Sequence, residues 1–324
     1  MHTSVKRLIA VAAAIATTTL AACSSTPTSS PSAGPSSGGG GEQKVIGLAV
    51  ANLQANFFNQ IRQSVEAAAA EQGVKVVVAD AGGDSEKQVS QIQDLITQQV
   101  DALIYIPAGA TAATVPVREA KAAGIPVVTV DRNPDGAPGD TFIATDSVAA
   151  AKALAEWVVK ETGGEGKLGV IQGQIGTTPE LARDEGFKAG LEGSKIVEVA
   201  RQASDGWHQD EGHDIAQDML QAHPEINIIF GRADALALGA AQAARQANRT
   251  DILIVGFDGD TAGLEAVRDG VIAATMTQKT QYMGQLALES ALKLAAGEQV
   301  PAEQLQPAEL TTKENVGPFI EQHP

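Results

Sequence analysis

The chain has one cysteine in 324 residues, so no disulfide can close within it and a cysteine-rich zinc site is excluded. Aromatics are scarce, with seven Phe, two Tyr and two Trp, so each ring has to be accounted for individually. Basic charge is short as well. Lys and Arg number 23 against 39 Asp and Glu, for a net charge of −16. That balance excludes bulk affinity for nucleic-acid phosphates, which needs clustered cations. Gly-x-Ser-x-Gly and HExxH are both missing, and Gly163-Gly164-Glu165-Gly166-Lys167 lacks the spacing and hydroxyl of a phosphate loop and reads as a turn. What is plentiful is apolar residue, 44% of the chain, enough for sizeable cores. The length suits two domains of about 100–200 residues each.

The first 43 residues are not read as fold. Lys6 and Arg7 precede an apolar stretch, Leu8–Thr19, too short to span a bilayer, which takes about 20 apolar residues. The pattern is an export signal. It ends in Leu20-Ala21-Ala22-Cys23, which resembles the lipobox of bacterial lipoproteins, with Cys23 as the lipidation site. An ordinary secretory signal with a chance cysteine is the blander alternative, but the chain's single cysteine stands where a lipobox needs it. Residues 24–43, rich in Ser, Thr, Pro and Gly, have no apolar periodicity and read as a flexible tether.

From Lys44 the pattern changes. Apolar runs recur at Val45–Ala51, Val74–Ala79, Ala102–Ile106, Pro126–Val130, Leu168–Ile171, Ile196–Ala200, Ile226–Phe230, Ile252–Val255 and Val271–Ala274. Short, nearly continuous, β-branched runs suit strands buried on both faces of a parallel sheet. Helical spacing lies between them, as in Phe58, Ile61, Val65 and Ala68. Ser85 with Gln88 predicts a capping box, Asp146 and Asp234 predict N-caps, and Pro179 predicts a first-turn proline. The alternation predicts an α/β fold of two doubly wound parallel-sheet domains, first divided near Thr145-Asp146.

Ligands of open α/β sheets sit beyond the C-terminal ends of the strands. The residues there are Asn52 to Gln60 with Phe57 and Phe58, then Asp131-Arg132, Gly173–Thr178, Trp207, Arg232, Asp258 and Gln278. Carboxylates, guanidinium and amides satisfy hydroxyls, and rings pack on C–H faces, so the set suits a sugar or polyol. Each residue also has a plainer reading. Phe57 or Phe58 could be core, Asp131-Arg132 a local ion pair, Asp258 a turn residue and Gln278 a hinge residue. Their convergence at one end of the sheets favours a site.

In order and spacing, several stretches resemble type I periplasmic binding proteins of the ribose-binding family. They are Asn56-Phe57-Phe58, Thr129-Val130-Asp131-Arg132, Ile143-Ala144-Thr145-Asp146, Arg183-Asp184-Glu185-Gly186-Phe187, Ala222-His223-Pro224, Ala237-Leu238-Gly239-Ala240, Val255-Gly256-Phe257-Asp258-Gly259 and Ala273-Ala274-Thr275. The resemblance covers Lys44 to about Leu310. It implies two lobes joined by a three-crossover hinge: 44–145 with 279–304, and 146–278 with 305–324. It implies an extracytoplasmic monomer that is not an enzyme, needs no cofactor or metal, and delivers its ligand to the permease of an ABC importer by hinge closure. A receptor presenting ligand to a signalling membrane protein is the alternative.

The resemblance places stacking rings at Phe57, Phe58 and Trp207, and hydroxyl-binding groups at Asp131, Arg132, Asp258 and Gln278. Four family positions depart, at Ala55, Ile106, Leu181 and Ala233, which removes polar anchors. A hydroxyl buried without a partner costs about 1–3 kcal/mol. Either Asn52, Gln54, Arg232 or the Gly173–Thr178 backbone replaces the lost anchors, or the ligand is smaller and less cyclic, a tetritol or pentitol. A calcium loop at Asp258–Asp269 and a metal pair at His208/His213 are rejected on spacing and ligand type.

Overall fold

Residues 43–323 are described in the computed structural model, and strand and helix alternate along them. The signal segment, Cys23 and the tether as far as Glu42 lie outside the described residues. Gln43, assigned above to the tether, already donates to the carbonyl of Gly73 at 2.9 Å. No described helix is long and apolar enough to cross a membrane.

The order begins β1 (Val45–Val50), α1 (Asn56–Glu71), β2 (Lys75–Asp80), α2 (Ser85–Thr97), β3 (Ala102–Tyr105), α3 (Thr114–Ala122), β4 (Val127–Val130) and β5 (Thr141–Thr145). It continues α4 (Ser147–Glu161), β6 (Glu165–Gln172), α5 (Thr178–Gly190), β7 (Lys195–Ala203), α6 (Gln209–Ala222), β8 (Ile228–Gly231), α7 (Asp234–Gln246), β9 (Leu253–Val255), α8 (Thr261–Asp269) and β10 (Ala274–Thr277). It closes with α9 (Thr280–Ala295), β11 (Glu303–Gln306), β12 (Glu309–Thr312) and α10 (Val316–Glu321).

The strands form two six-stranded sheets, β11-β5-β4-β3-β1-β2 and β12-β10-β9-β8-β6-β7. The first is wholly parallel; in the second, β12 alone runs antiparallel, on the β10 edge. Each sheet is buried on both faces. One side of the first packs Leu48, Ile104 and Val130 with α1 and α9, and the other packs Ala49, Leu103 and Val127 with α2 and α3. The second sheet does the same with Ile171, Ile229 and Ile254 on one side and Val170, Phe230 and Val255 on the other. Such double burial is why the strands read as continuous apolar runs.

The chain passes between the sheets three times: after β5, between β10 and α9, and between β11 and β12. The last passage falls later than the expected 304/305 division, because Leu305 and Gln306 still pair with Ala144 and Thr145 of the first sheet.

Several local expectations are corrected. β5, β11 and β12 are absent from the nine runs: β5 is short and bounded by threonines, and Glu303–Gln306 and Glu309–Thr312 are polar edge strands. The run at Val271 enters its strand only at Ala274. The N-cap of α2 is Asp84, which accepts from the amides of Glu86 and Lys87. Gln88, the proposed capping-box partner, is buried, donates to Ile106 O at 2.8 Å and accepts from Ala108 N at 2.7 Å. Asp146 does cap α4, accepting from Ala149 N at 3.0 Å. Asp234 does not cap α7; its buried carboxylate accepts from Gly259 N, Asp260 N and the Thr275 hydroxyl.

Candidate functional site

The C-terminal strand ends of both sheets face one cavity of about 310 Å³, within the range of small-molecule sites, about 300–1,000 Å³. β1 delivers Asn52, Gln54, Phe57 and Phe58 at the start of α1, and β4 delivers Asp131 and Arg132. From the other sheet come Gln174 after β6, Arg183 on α5, Trp207 before α6, and Asp258 and Asp260 after β9. The two halves touch beside the cavity. Asn133 N donates to Thr178 Oγ1 at 2.9 Å, and an Arg132 Nη1 donates to Gln174 Oε1 at 3.4 Å.

The rings enclose the charges. Phe57 and Phe58 meet edge to face, with centroids 5.3 Å apart. The Arg132 guanidinium lies 5.3 Å from the Phe58 centroid and 5.9 Å from that of Trp207, so it stands between rings of both halves. Arg183 lies 3.9 Å from the Phe257 centroid and 5.6 Å from that of Trp207. Cations over aromatic faces are held by the ring quadrupole, and more strongly once desolvated.

Two acid–base pairs follow from this arrangement. Arg132 Nε is 3.5 Å from Asp131 Oδ2, and its Nη1 donates to the carbonyls of Pro107 and Ala108. Arg183 Nη2 is 3.4 Å from Asp258 Oδ1, and its Nη1 donates to the Arg232 carbonyl. With both acids ionised, the quartet is neutral. Burial drives the carboxyls of Asp131 and Asp258 upward, against the pull of Arg132 and Arg183 on Asp131 and of Arg183 on Asp258. Burial also draws Arg132 down, while Asp131 supports its charge. Asp131 and Arg132 each favour the charged form of the other, and Arg183 favours the charged form of Asp258.

Backbone strain collects here. Six described non-glycine residues have positive φ, and Asp131 (62°), Trp207 (64°) and Asp258 (138°) are three of them. Such conformations cost about 1–3 kcal/mol each and persist where surroundings hold them. Asp258 is held by Asp258 N to Met276 O, Gln278 N to Asp258 O, and Gln278 Nε2 to Asp258 Oδ1 at 2.8 Å. Trp207 Nε1, Arg183 Nε and Gln278 Oε1 are buried without a hydrogen-bond partner.

Most residues named from sequence come together, and two do not line the cavity. Asn52, Gln54, Phe57, Phe58, Asp131, Arg132, Trp207 and Asp258 line it. Gln278 stands behind Asp258 as its hydrogen-bond donor. Arg232 is turned away: its guanidinium is buried and donates to Glu180 O, Glu180 Oε1 and Asp184 Oδ1. The Gly173 amide is not free for a ligand either, because it donates to the Glu180 carboxylate at 2.8 Å. Of the departing positions, Ala55 and Ala233 line the cavity as apolar wall, Ile106 is core, and Leu181 faces out at 60% exposed. Gln174 and Asp260, which stand in the segments after β6 and β9, and Arg183, which stands in a matching stretch, are cavity-lining side chains that the sequence reading does not single out. Arg183 follows Pro179 by four residues on α5, one turn along the same face, and both line the cavity. That spacing was the available signal.

Two doubly wound lobes, crossed three times by the chain and meeting over a charged, ring-lined cavity, define a two-lobed small-molecule-binding protein. The chain belongs to the periplasmic binding protein family, whose domain matches residues 46–299. It is 34% identical to the ribose import binding protein RbsB of Bacillus subtilis over 83% of this chain and 87% of the relative. It is 30% identical to a xylitol-binding protein of Mycolicibacterium smegmatis, over 86% and 80%. Among solved structures, an ABC transporter solute binding protein of Bacillus halodurans with bound myo-inositol superposes with TM-score 0.82 at 28% identity, over 87% of this chain and 98% of that one. The family consists of transport solute-binding proteins, not enzymes.

Proposed function

We propose that this chain is the extracytoplasmic solute-binding component of an ABC importer for a monosaccharide or small sugar alcohol, tethered to the membrane through a lipid on Cys23. The observation that carries the reading is the two acid–base pairs at the cavity, Asp131–Arg132 and Asp258–Arg183, with Arg132 between Phe58 and Trp207 of opposite halves and Arg183 between Trp207 and Phe257. The carboxyl oxygens of Asp131 and Asp258 accept from hydroxyls and the guanidinium groups of Arg132 and Arg183 donate to them, which suits a polyhydroxy ligand. The rings supply faces for C–H surfaces. Alanine at 55 and 233 in the wall thins the polar lining and favours a tetritol or pentitol over a fully hydroxyl-paired ring. The relatives named for ribose and xylitol span cyclic and acyclic ligands of this size.

In this reading residues 44–145 with 279–306, and 146–278 with 307 onward, are two lobes of a monomer that close on the ligand. Closure is a shift of population set by tighter binding to the closed form. The closed form then engages the permease.

A thermal-shift panel of erythritol, ribitol, xylitol, D-ribose, D-allose and myo-inositol tests the ligand class. A ligand that binds only the native state raises the midpoint by mass action. A rise with the short alditols and none with D-ribose supports the acyclic reading. A rise with the cyclic sugars alone overturns it, and no rise at all overturns the carbohydrate reading.

A further inference from the structure

His323 lies beyond α10 and touches both lobes. α10 is anchored in the second lobe, where Val316 is buried in the core with Phe319 and Ile320 packed against it. From there the His323 ring reaches the loop that carries the cleft acids. Its Nε2 lies 2.7 Å from the carbonyl oxygen of Gly259, the residue between Asp258 and Asp260. A carbonyl can only accept, so Nε2 carries the hydrogen. Its Nδ1 lies 3.3 Å from Thr280 Oγ1. Thr280 is buried at the start of α9, which packs on α1 and the first sheet, and its one hydroxyl hydrogen is shared between Gln60 Oε1 of α1, 3.0 Å away, and His323 Nδ1.

The loop is therefore gripped from two sides. Asp234 accepts from the amides of Gly259 and Asp260, fixing the loop to its own lobe. His323 donates to the carbonyl between them and connects that point to the other lobe. The loop has little room to readjust. Gly259 has φ +68°, and a Cβ there would overlap Thr277. Asp258, next to it, has φ 138°. A carboxylate on so constrained a backbone is aimed by whatever holds the neighbouring peptides.

We infer that His323 is a positioning residue for ligand binding, holding the Asp258–Asp260 loop of one lobe to the start of α9 in the other. The inference rests on the reading of Asp258 as a ligand-binding acid. Its structural half can be tested without any ligand.

The test is hydrogen exchange by mass spectrometry on the ligand-free full chain, as wild type, His323→Ala and His323→Gln. In His323→Ala, amides of residues 258–262 and 279–283 should both exchange about tenfold faster, because one pin is lost from each. In His323→Gln the side-chain amide still donates to Gly259 O, so 258–262 should recover while 279–283 stays fast. Faster exchange confined to 316–323, or no difference between the two variants at 258–262, overturns the inference. Should His323→Ala not fold, His323→Gln and Thr280→Val carry the comparison, with Thr280→Val loosening 279–283 and sparing 258–262.

For whichever of xylitol or D-ribose the wild type binds, affinity should fall about five- to tenfold in His323→Ala and return in His323→Gln. A wild type that binds neither counts against the proposed ligand class. The exchange result still decides the role of His323.

Discussion

The indole of Trp207 lies on the backbone of Gly173, so close that a Cβ on Gly173 would overlap the six-membered ring. Glycine is required there by close approach, not by a turn. Trp207 itself is held at φ 64°, packs on the core of its own lobe and has the guanidinium groups of Arg132 and Arg183 near its ring. Gly173→Ala should therefore push the ring into the cavity. The overpacking should cost about 1–3 kcal/mol of stability. Ligand affinity should fall by more than about tenfold, since each 1.4 kcal/mol is tenfold. Tryptophan emission and a ligand titration read both. Unchanged emission with unchanged affinity would show that the ring has room to retreat.

Arg183 and Arg232 should separate cleanly on substitution. Arg183→Met removes the cation facing Asp258 and the group stacked on Phe257. Binding should be lost by at least about tenfold, because charge-assisted hydrogen bonds are the strong ones. The Asp258 carboxyl should also move further upward, having lost the largest influence that opposes burial. Isothermal titration at two pH values checks both. Binding that survives at wild-type strength would remove Arg183 from the site.

Arg232→Met should instead cost stability. Its guanidinium pairs Glu180 at 3.1 Å and Asp184, and Glu180 is only 2% exposed. Removing one partner of a buried pair costs about 3–5 kcal/mol, because the other charge is left uncompensated. Urea unfolding should show the loss, while the rank order of ligands in a binding panel stays as in the wild type. A changed rank order would return Arg232 to the binding surface.

These two arginines also show what a linear reading can and cannot reach. Strand ends are marked by where an apolar run stops, so Asp131-Arg132 and Asp258 were legible. So was the two-sheet architecture, because double burial writes itself as β-branched runs. Arg232 follows β8 in the same way, but its direction is decided by Glu180 and Asp184 on α5, about fifty positions earlier. The role of Arg183, which appears in the sequence only within a matching stretch, is hidden for the converse reason: it reaches the cavity from inside a helix, where the signal is spacing from Pro179 rather than a break in pattern. β11 and β12 are edge strands built mostly of polar residues, so they carry no apolar run to find.

Stability should fall as pH rises from about 4 to 7, and Asp234 should be a principal source. Burial, reinforced by repulsion from Asp260, lifts its carboxyl to about 7, although Thr275 and the amides of Gly259 and Asp260 favour the charged form. In the unfolded chain an aspartate titrates near 4. Between those values the native state holds a proton that the unfolded state releases. The stabilising contribution is therefore complete below about pH 4 and is lost as pH rises through about 7, with a slope of up to about 1.4 kcal/mol per pH unit for one proton. Burial raises Asp131, Asp258 and Asp260 too, so they act in the same direction. Asp184 opposes them. Its hydrogen bonds from Lys188, Arg201 and Arg232 outweigh partial burial and hold it below the usual range, so its contribution is present above about pH 4 and lost in stronger acid. Asp234→Asn removes one titrating site and keeps an oxygen to accept from Gly259 N. Urea midpoints between pH 4.5 and 7.5 should then vary less steeply than in the wild type. An equally steep profile would mean that the bound proton sits on another carboxyl, with Asp258 and Asp260 next in line.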